Sequence, residues 1–199
     1  MQKKYQTTVQ PTLEPISLTE AREHLRNEGL TVDNDYLEAL IVAARQYIEK
    51  YLNRALIEQT CLQSWDRVPS NAVFELAQNP LISITSFKYY DENGVLQNYS
   101  NYQLDTQSDI VKLVPNVDTV FPSTQNGRLN KIQITYKCGY GDAAEDVPQL
   151  IKQAIKIMIA YLYDENRGGV VSGQGISMEI KHPKVIEYLL VDYRLTGIW

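Results

Sequence analysis

Cysteine is nearly absent from this 199-residue chain, which carries only Cys61 and Cys138. Two thiols 77 residues apart make neither the multi-cysteine pattern of a disulfide framework nor the close spacing of a zinc site. Histidine is equally scarce: neither His24 nor His182 has a second ligand at a useful offset. Long apolar runs are missing too. The most aliphatic stretch, from Ile151 to Leu162, is interrupted by Lys152, Gln153 and Lys156 and is too short and polar to span a bilayer. The opening MQKKYQTTVQP has a basic flank with no apolar segment behind it, which excludes a signal peptide. Positive charge is not in excess either. With 19 Lys+Arg against 24 Asp+Glu the net charge is -5, so a broadly basic nucleic-acid wrapper is excluded. Phe (3) and Trp (2) are few, whereas Tyr (14) is abundant. An apolar ring with a polar tip suits half-buried sheet faces and subunit contacts. The apolar fraction of 44% and charged fraction of 22% predict an intracellular globular chain that needs no metal or cross-link.

Residues 1–16 are polar, contain Pro11 and Pro15, and predict a flexible N-terminal arm. Ser17-Leu18-Thr19-Glu20 is a capping box that opens a short helix over 18–28, with Gly29 as its left-handed exit. Asp33 or Asn34 caps a longer helix over 34–53. Its apolar stripe is Leu37, Leu40, Ile41, Ala44, Ile48, Tyr51 and Leu52, and its wet side carries Asp35, Glu38, Arg45, Glu49 and Lys50. The period then changes. Strands are predicted over 57–65, 72–76, 81–90, 102–105, 110–114 and 131–137, as a meander with a hairpin turn at Asp91-Glu92-Asn93-Gly94. Helix returns over 147–164, with Asp146 as N-cap and Pro148 in the first turn. Gly168, Gly169, Gly173 and Gly175 make a glycine-rich flexible loop over 166–180, with a short strand at Ser177–Ile180. Pro183 then opens a helix over 184–195 and residues 196–199 form a tail. The predicted class is α+β. A four-helix core (17–56 and 146–195) buries Leu40, Ala44, Ile48, Ile155, Ile159 and Leu189, and 57–138 is an inserted antiparallel β lobe.

Motifs for chemistry fail one by one. Gly139-Tyr140-Gly141 lacks the third glycine and the Lys-Ser/Thr of a phosphate loop. Asp33 and Asp35 start like a calcium loop, but the glycine at its sixth position is missing and Ala44 stands where its last glutamate belongs. Asp142, Glu145 and Asp146 lie in a surface turn, where nothing separates their pKa values for acid/base work. Both histidines neighbour helix signals with no nucleophile at a motif spacing, and both cysteines sit in strand context as small buried thiols. Asn98-Tyr99-Ser100 matches a glycosylation acceptor without a secretory context. The expectation is a non-enzymatic chain with no catalytic residue, cofactor or metal.

The segment AREHLRNEGLTVDNDYLEALIVAARQYIEKYLNRALIEQT resembles the opening of the head–tail connector, or head-completion, family of long-tailed bacteriophages and prophages. The resemblance continues through Asn79-Pro80-Leu81-Ile82-Ser83-Ile84, Tyr89-Tyr90-Asp91-Glu92-Asn93-Gly94, Gly139-Tyr140, Val147-Pro148 and Tyr161-Leu162-Tyr163, and covers roughly residues 16–195. It implies a structural adaptor at the virion neck that forms a ring, dodecameric by resemblance, beneath the portal. The ring would extend the DNA channel and dock the stopper or tail, with no membrane involved. A neck or tail-completion protein with the same helical core, or a non-viral protein-binding module, are the alternatives. The candidate interface residues are Tyr5, Val9 and Leu13 in the arm, Arg167, Gly168, Gly169, Val170 and Val171 in the loop, and Ile198 and Trp199 in the tail. The smaller family members are almost wholly helical, and this chain departs from them in its long β block.

Overall fold

A computed structural model describes residues 4–26, 34–167 and 183–195. The chain divides into two compact units. One is built on Asn53–Asp142 with the N-terminal strand, the other on Leu13–Leu52 and Ala143–Arg194.

The second unit holds four helices: α1 (Leu18–His24), α2 (Asn34–Leu52), α3 (Gln149–Arg167) and α4 (Lys184–Leu190). The capping box forms, with the Glu20 N–H donating to Ser17 Oγ at 3.1 Å and the Ser17 N–H donating to the Glu20 carboxylate at 2.9 Å. Arg26, at φ 54°, takes the left-handed exit assigned above to Gly29, which lies with Asp33 outside the described residues. Leu40, Ala44 and Ile48 of α2 are buried, as are Ile155 and Ile159 of α3. In α4 the inward positions are Ile186 and Leu190, one turn apart, which leaves Leu189 half-buried rather than in the core. Asp146 is not the cap of α3. Its carboxylate accepts from the Ala143 N–H at 3.2 Å and closes a 3-10 turn, while the Pro148 carbonyl receives the first helical N–H groups.

Two further expectations fail on local chemistry. Arg45, assigned to the wet side of α2, is 3% exposed. Its Nε donates to Glu14 at 2.7 Å and its Nη1 to Glu49 at 2.8 Å, so the buried guanidinium is neutralised in place. Burial opposes its charge, but the two carboxylates outweigh this and raise its pKa. Nor is the N-terminal segment a loose arm. Pro15 and Ile16 are buried, Glu14 is held by Arg45, and Lys4–Val9 forms strand β1.

The β unit has two sheets in place of a meander. Strands β1, β2 (Gln59–Trp65), β8 (Ile132–Cys138), β4 (Leu81–Tyr90) and β5 (Leu96–Asn98) form the larger, in the order β1-β2-β8-β4-β5. Strands β3 (Phe74–Glu75), β7 (Lys112–Pro115) and β6 (Tyr102–Asp105) form the smaller, in the order β3-β7-β6. The late strand β8 slots between β2 and β4, so pairing is set by long-range contacts rather than by successive hairpins. The two sheets share an aromatic core, in which Phe74 lies 5.2 Å from Phe87 and Phe121, and Phe121 lies 4.8 Å from Tyr99. At Gly139 (φ +134°) an added Cβ would sit 2.5 Å from the Ile57 carbonyl carbon, so only glycine fits where β8 leaves the sheet.

Ile155 is fully buried, so Ile155→Ala should cost about 2–5 kcal/mol in denaturant melts through its cavity and lost transfer energy. Glu20 supplies a pH signature. Partial burial opposes its charge, but hydrogen bonds from Ser17 and contacts with Lys156 and Lys152 prevail and lower its pKa to about 2. Because the folded value lies below the unfolded one, this stabilisation is complete above the unfolded value of about 4.3 and is lost as pH falls towards 2. Glu20→Gln should therefore flatten the acid limb of stability against pH between those values, as read by chemical denaturation at each pH.

Candidate interaction surfaces

Of the candidate interface residues in the arm, Tyr5, Val9 and Leu13 are exposed at 45%, 54% and 37%. Tyr5 is anchored by its hydroxyl, which accepts from Gln78 Nε2 at 2.8 Å, and Val9 lies at a bulge where β1 shifts register on β2. These three side chains line the first strand and the chain after it, where β1 is the edge of the larger sheet. Arg167 ends α3. Gly168, Gly169, Val170, Val171, Ile198 and Trp199 lie outside the described residues.

Sequence periodicity, which sets Val185 on one side of the last helix with Ile186, Leu189, Leu190 and Tyr193, misses a second apolar feature. On α4 and the turn after it, Val185, Tyr188 and Val191 are exposed at an i, i+3, i+6 spacing that puts them on one side, away from Ile186 and Leu190. The signal was present in the sequence as a helix with apolar residues on two sides, which one buried stripe cannot use. In the β unit, Val117, Val120 and Leu129 are also exposed, all on the long connection between β7 and β8.

The titratable groups do structural work. Asp91 caps the hairpin turn after β4, where the side chain of Gln97 and the N–H groups of Val95, Asn93 and Gly94 lower its pKa. Asp66 accepts from the Asn130 N–H at 2.7 Å and from Lys4 at 2.6 Å, which lowers its pKa likewise. Tyr136 is fully buried, and burial, with the thiols of Cys138 and Cys61 beside it, pushes its pKa well up. Its hydroxyl donates to Gln63 and accepts from the Gln78 N–H, so it stays neutral and structural. Cys61 and Cys138, separate in the sequence, lie with their sulfurs 3.6 Å apart. Among the described residues no group of three or more His, Cys, Asp or Glu side chains is placed to hold a metal ion, and no helix is long and apolar enough to cross a membrane. A shallow depression of about 280 Å³ lies over β1, β2 and β8, lined by Lys4, Gln6, Leu62, Ser64, Asn130 and Gln133 among others. It is open, and its lining is mostly polar.

No curated protein sequence matches the chain. Among solved structures, a chain from the neck of an empty gene transfer agent (GTA) particle, computed with C6 symmetry, superposes with a TM-score of 0.78 at 17% identity, over 98% of this chain and 97% of that one. A chain from the virion of a native gene transfer agent particle gives 0.71 at 17% identity, over 98% and 97% of the two chains. One from the neck of the native particle, computed with C12 symmetry, gives 0.66 at 20% identity, over 100% and 98%. At such identities the match establishes the fold, both units included. The family model described as "Head completion protein" matches residues 14–196. This chain belongs to the head completion protein family.

Proposed function

We propose that this chain is the adaptor of the virion neck, forming a ring beneath the portal that continues the DNA channel and presents the surface on which the stopper or tail docks. The observation that carries this reading is the match over almost the whole chain to subunits from the neck of gene transfer agent particles, which were computed with C6 and C12 symmetry. A closed ring needs two different surfaces on each subunit, meeting head to tail. Tyr5 and Val9 on β1, Leu13 before α1, and Val185, Tyr188 and Val191 on α4 and the turn after it are exposed apolar side chains that we assign to such contacts. We assign Arg167, Gly168, Gly169, Val170 and Val171, together with Ile198 and Trp199, to contacts with neighbours in the assembled neck. Weak individual contacts suffice there, because an assembled portal presents many sites at high local concentration.

Heads produced without this chain should fail to join tails, and adding the purified chain should restore joining. Tail attachment in its absence would overturn the assignment. Within the ring, Tyr188→Glu should leave the melting temperature within a degree or two, since the side chain is 78% exposed, yet reduce incorporation onto portal-bearing heads several-fold. A chain ending at Leu195 should show the same loss, read by gel analysis of purified heads. Wild-type incorporation of both variants would remove the two segments from the interface.

A further inference from the structure

Strands β2 and β8 bring the chain's two thiols together. The register sets Cys61 opposite Tyr136 and Cys138 opposite Gln59, so both side chains point to the same face, one diagonal step apart. Both residues are 0% exposed and their sulfurs are 3.6 Å apart. The Cys138 thiol donates to the Gln59 carbonyl at 3.7 Å, and the Thr7 hydroxyl of β1 lies 3.8 Å from Cys61 Sγ. We propose that Cys61 and Cys138 are a latent disulfide site, closed by a small disulfide oxidant such as glutathione disulfide, which staples β2 to β8.

The geometry sets what closure requires. A disulfide bond is about 2.05 Å long, so the sulfurs must approach by about 1.5 Å. In a flat antiparallel ladder a diagonal pair has its Cα atoms about 7–8 Å apart, beyond ordinary disulfide reach, but the right-handed twist shortens one of the two diagonals. Bulges increase that twist locally. Two of them flank this pair: β1 shifts register between Thr7, which faces Cys61, and Val9, and β4 shifts between Leu81, which faces Cys138, and Ser83.

The chemistry balances without a further reagent. One cysteine thiolate attacks a sulfur of glutathione disulfide and expels a glutathione thiolate. The second cysteine thiolate then attacks the protein sulfur of the mixed disulfide and expels the other glutathione. Two thiol protons leave, and the two electrons from the cysteines reduce one glutathione disulfide to two thiols. Access is through β1, an edge strand whose residues are nearly all exposed, held by its ladder to β2 and by the Lys4–Asp66 ion pair at 2.6 Å. Opening of β1 uncovers Cys61, so the rate of closure follows the stability of that strand. For a particle assembled in a reducing cytoplasm and released outside, the staple closes after assembly. That timing rests on the proposed place in the virion; the thiol chemistry does not.

The test uses the purified full-length chain with glutathione disulfide, so its result is independent of whether the chain joins heads to tails. Intact mass should fall by the two hydrogens lost, about 2 Da, and non-reducing peptide mapping should recover Cys61 linked to Cys138. The oxidised chain should melt several degrees higher than the reduced one, and dithiothreitol should reverse both changes. Cys61→Ser should abolish the linked peptide and the shift. Lys4→Glu, which turns the attraction to Asp66 into repulsion, should speed closure several-fold and leave the product unchanged. Refolding from denaturant in the same redox buffer removes the access barrier. If the refolded chain carries glutathione on both cysteines and no linked peptide, or if the linked chain melts below the reduced one, the proposal fails. An unchanged rate in Lys4→Glu would overturn the role of β1.

Discussion

The two sheets of the β unit share one core because two buried amides complete the hydrogen bonds of the segment that joins them. Gln63, 1% exposed on β2, accepts from the Ala77 N–H at 2.7 Å and donates to the Glu75 carbonyl at 3.0 Å. Asn79, also 1% exposed, donates to the Leu76 carbonyl and accepts from the Val111 N–H, while its own carbonyl receives the Ala55 N–H. Strand β3 has only two residues, too few to pair its neighbours. Without these amides the Leu76 carbonyl and the Ala77 and Val111 N–H groups would lose these partners inside the unit, and the Glu75 carbonyl would lose its own, at about 1–3 kcal/mol for each buried group. With them, Phe74, Leu76 and Leu113 can close over Phe87, Ile132 and Ile134.

The helical unit meets an analogous demand with charge. Arg45 is the buried cation between Glu14 and Glu49, and Glu20 meets Lys152 and Lys156 at 3.4 and 3.3 Å. The first pair ties the segment before α1 to α2, and the second ties α1 to α3. A short helix such as α1, with only Ala21 fully buried, gains through these links an attachment that its narrow apolar stripe does not provide. Both units therefore hold their peripheral segments by polar contacts and keep exposed aliphatic side chains on α4 and on the connection between β7 and β8. For a family whose work is to be a link in an assembly, that division leaves surface available without weakening either core.

The sequence by itself determined the helices and most strands. The stripe of α2, the dense stripe of α3, the capping box at Ser17 and the hairpin turn after Tyr90 are local patterns, each decided within a few residues by hydrogen bonding and burial period. The absence of chemical motifs and the family resemblance were legible in the same way, since both are read along the chain. What only the tertiary structure decided depends on residues far apart. Strand β1 has little apolar character and exists because β2 offers it an open edge. The inward face of β2 is Gln59, Cys61 and Gln63 while Leu62 faces out, an inversion of hydropathy that no pattern predicts because the partners of Gln63 lie beyond β2. Arg45 is buried because Glu14 arrives from another segment, and two thiols become neighbours because β8 takes the place beside β2. Local propensity is additive along the chain, whereas the pairing of polar groups and strands is settled only when distant segments meet and exclude water.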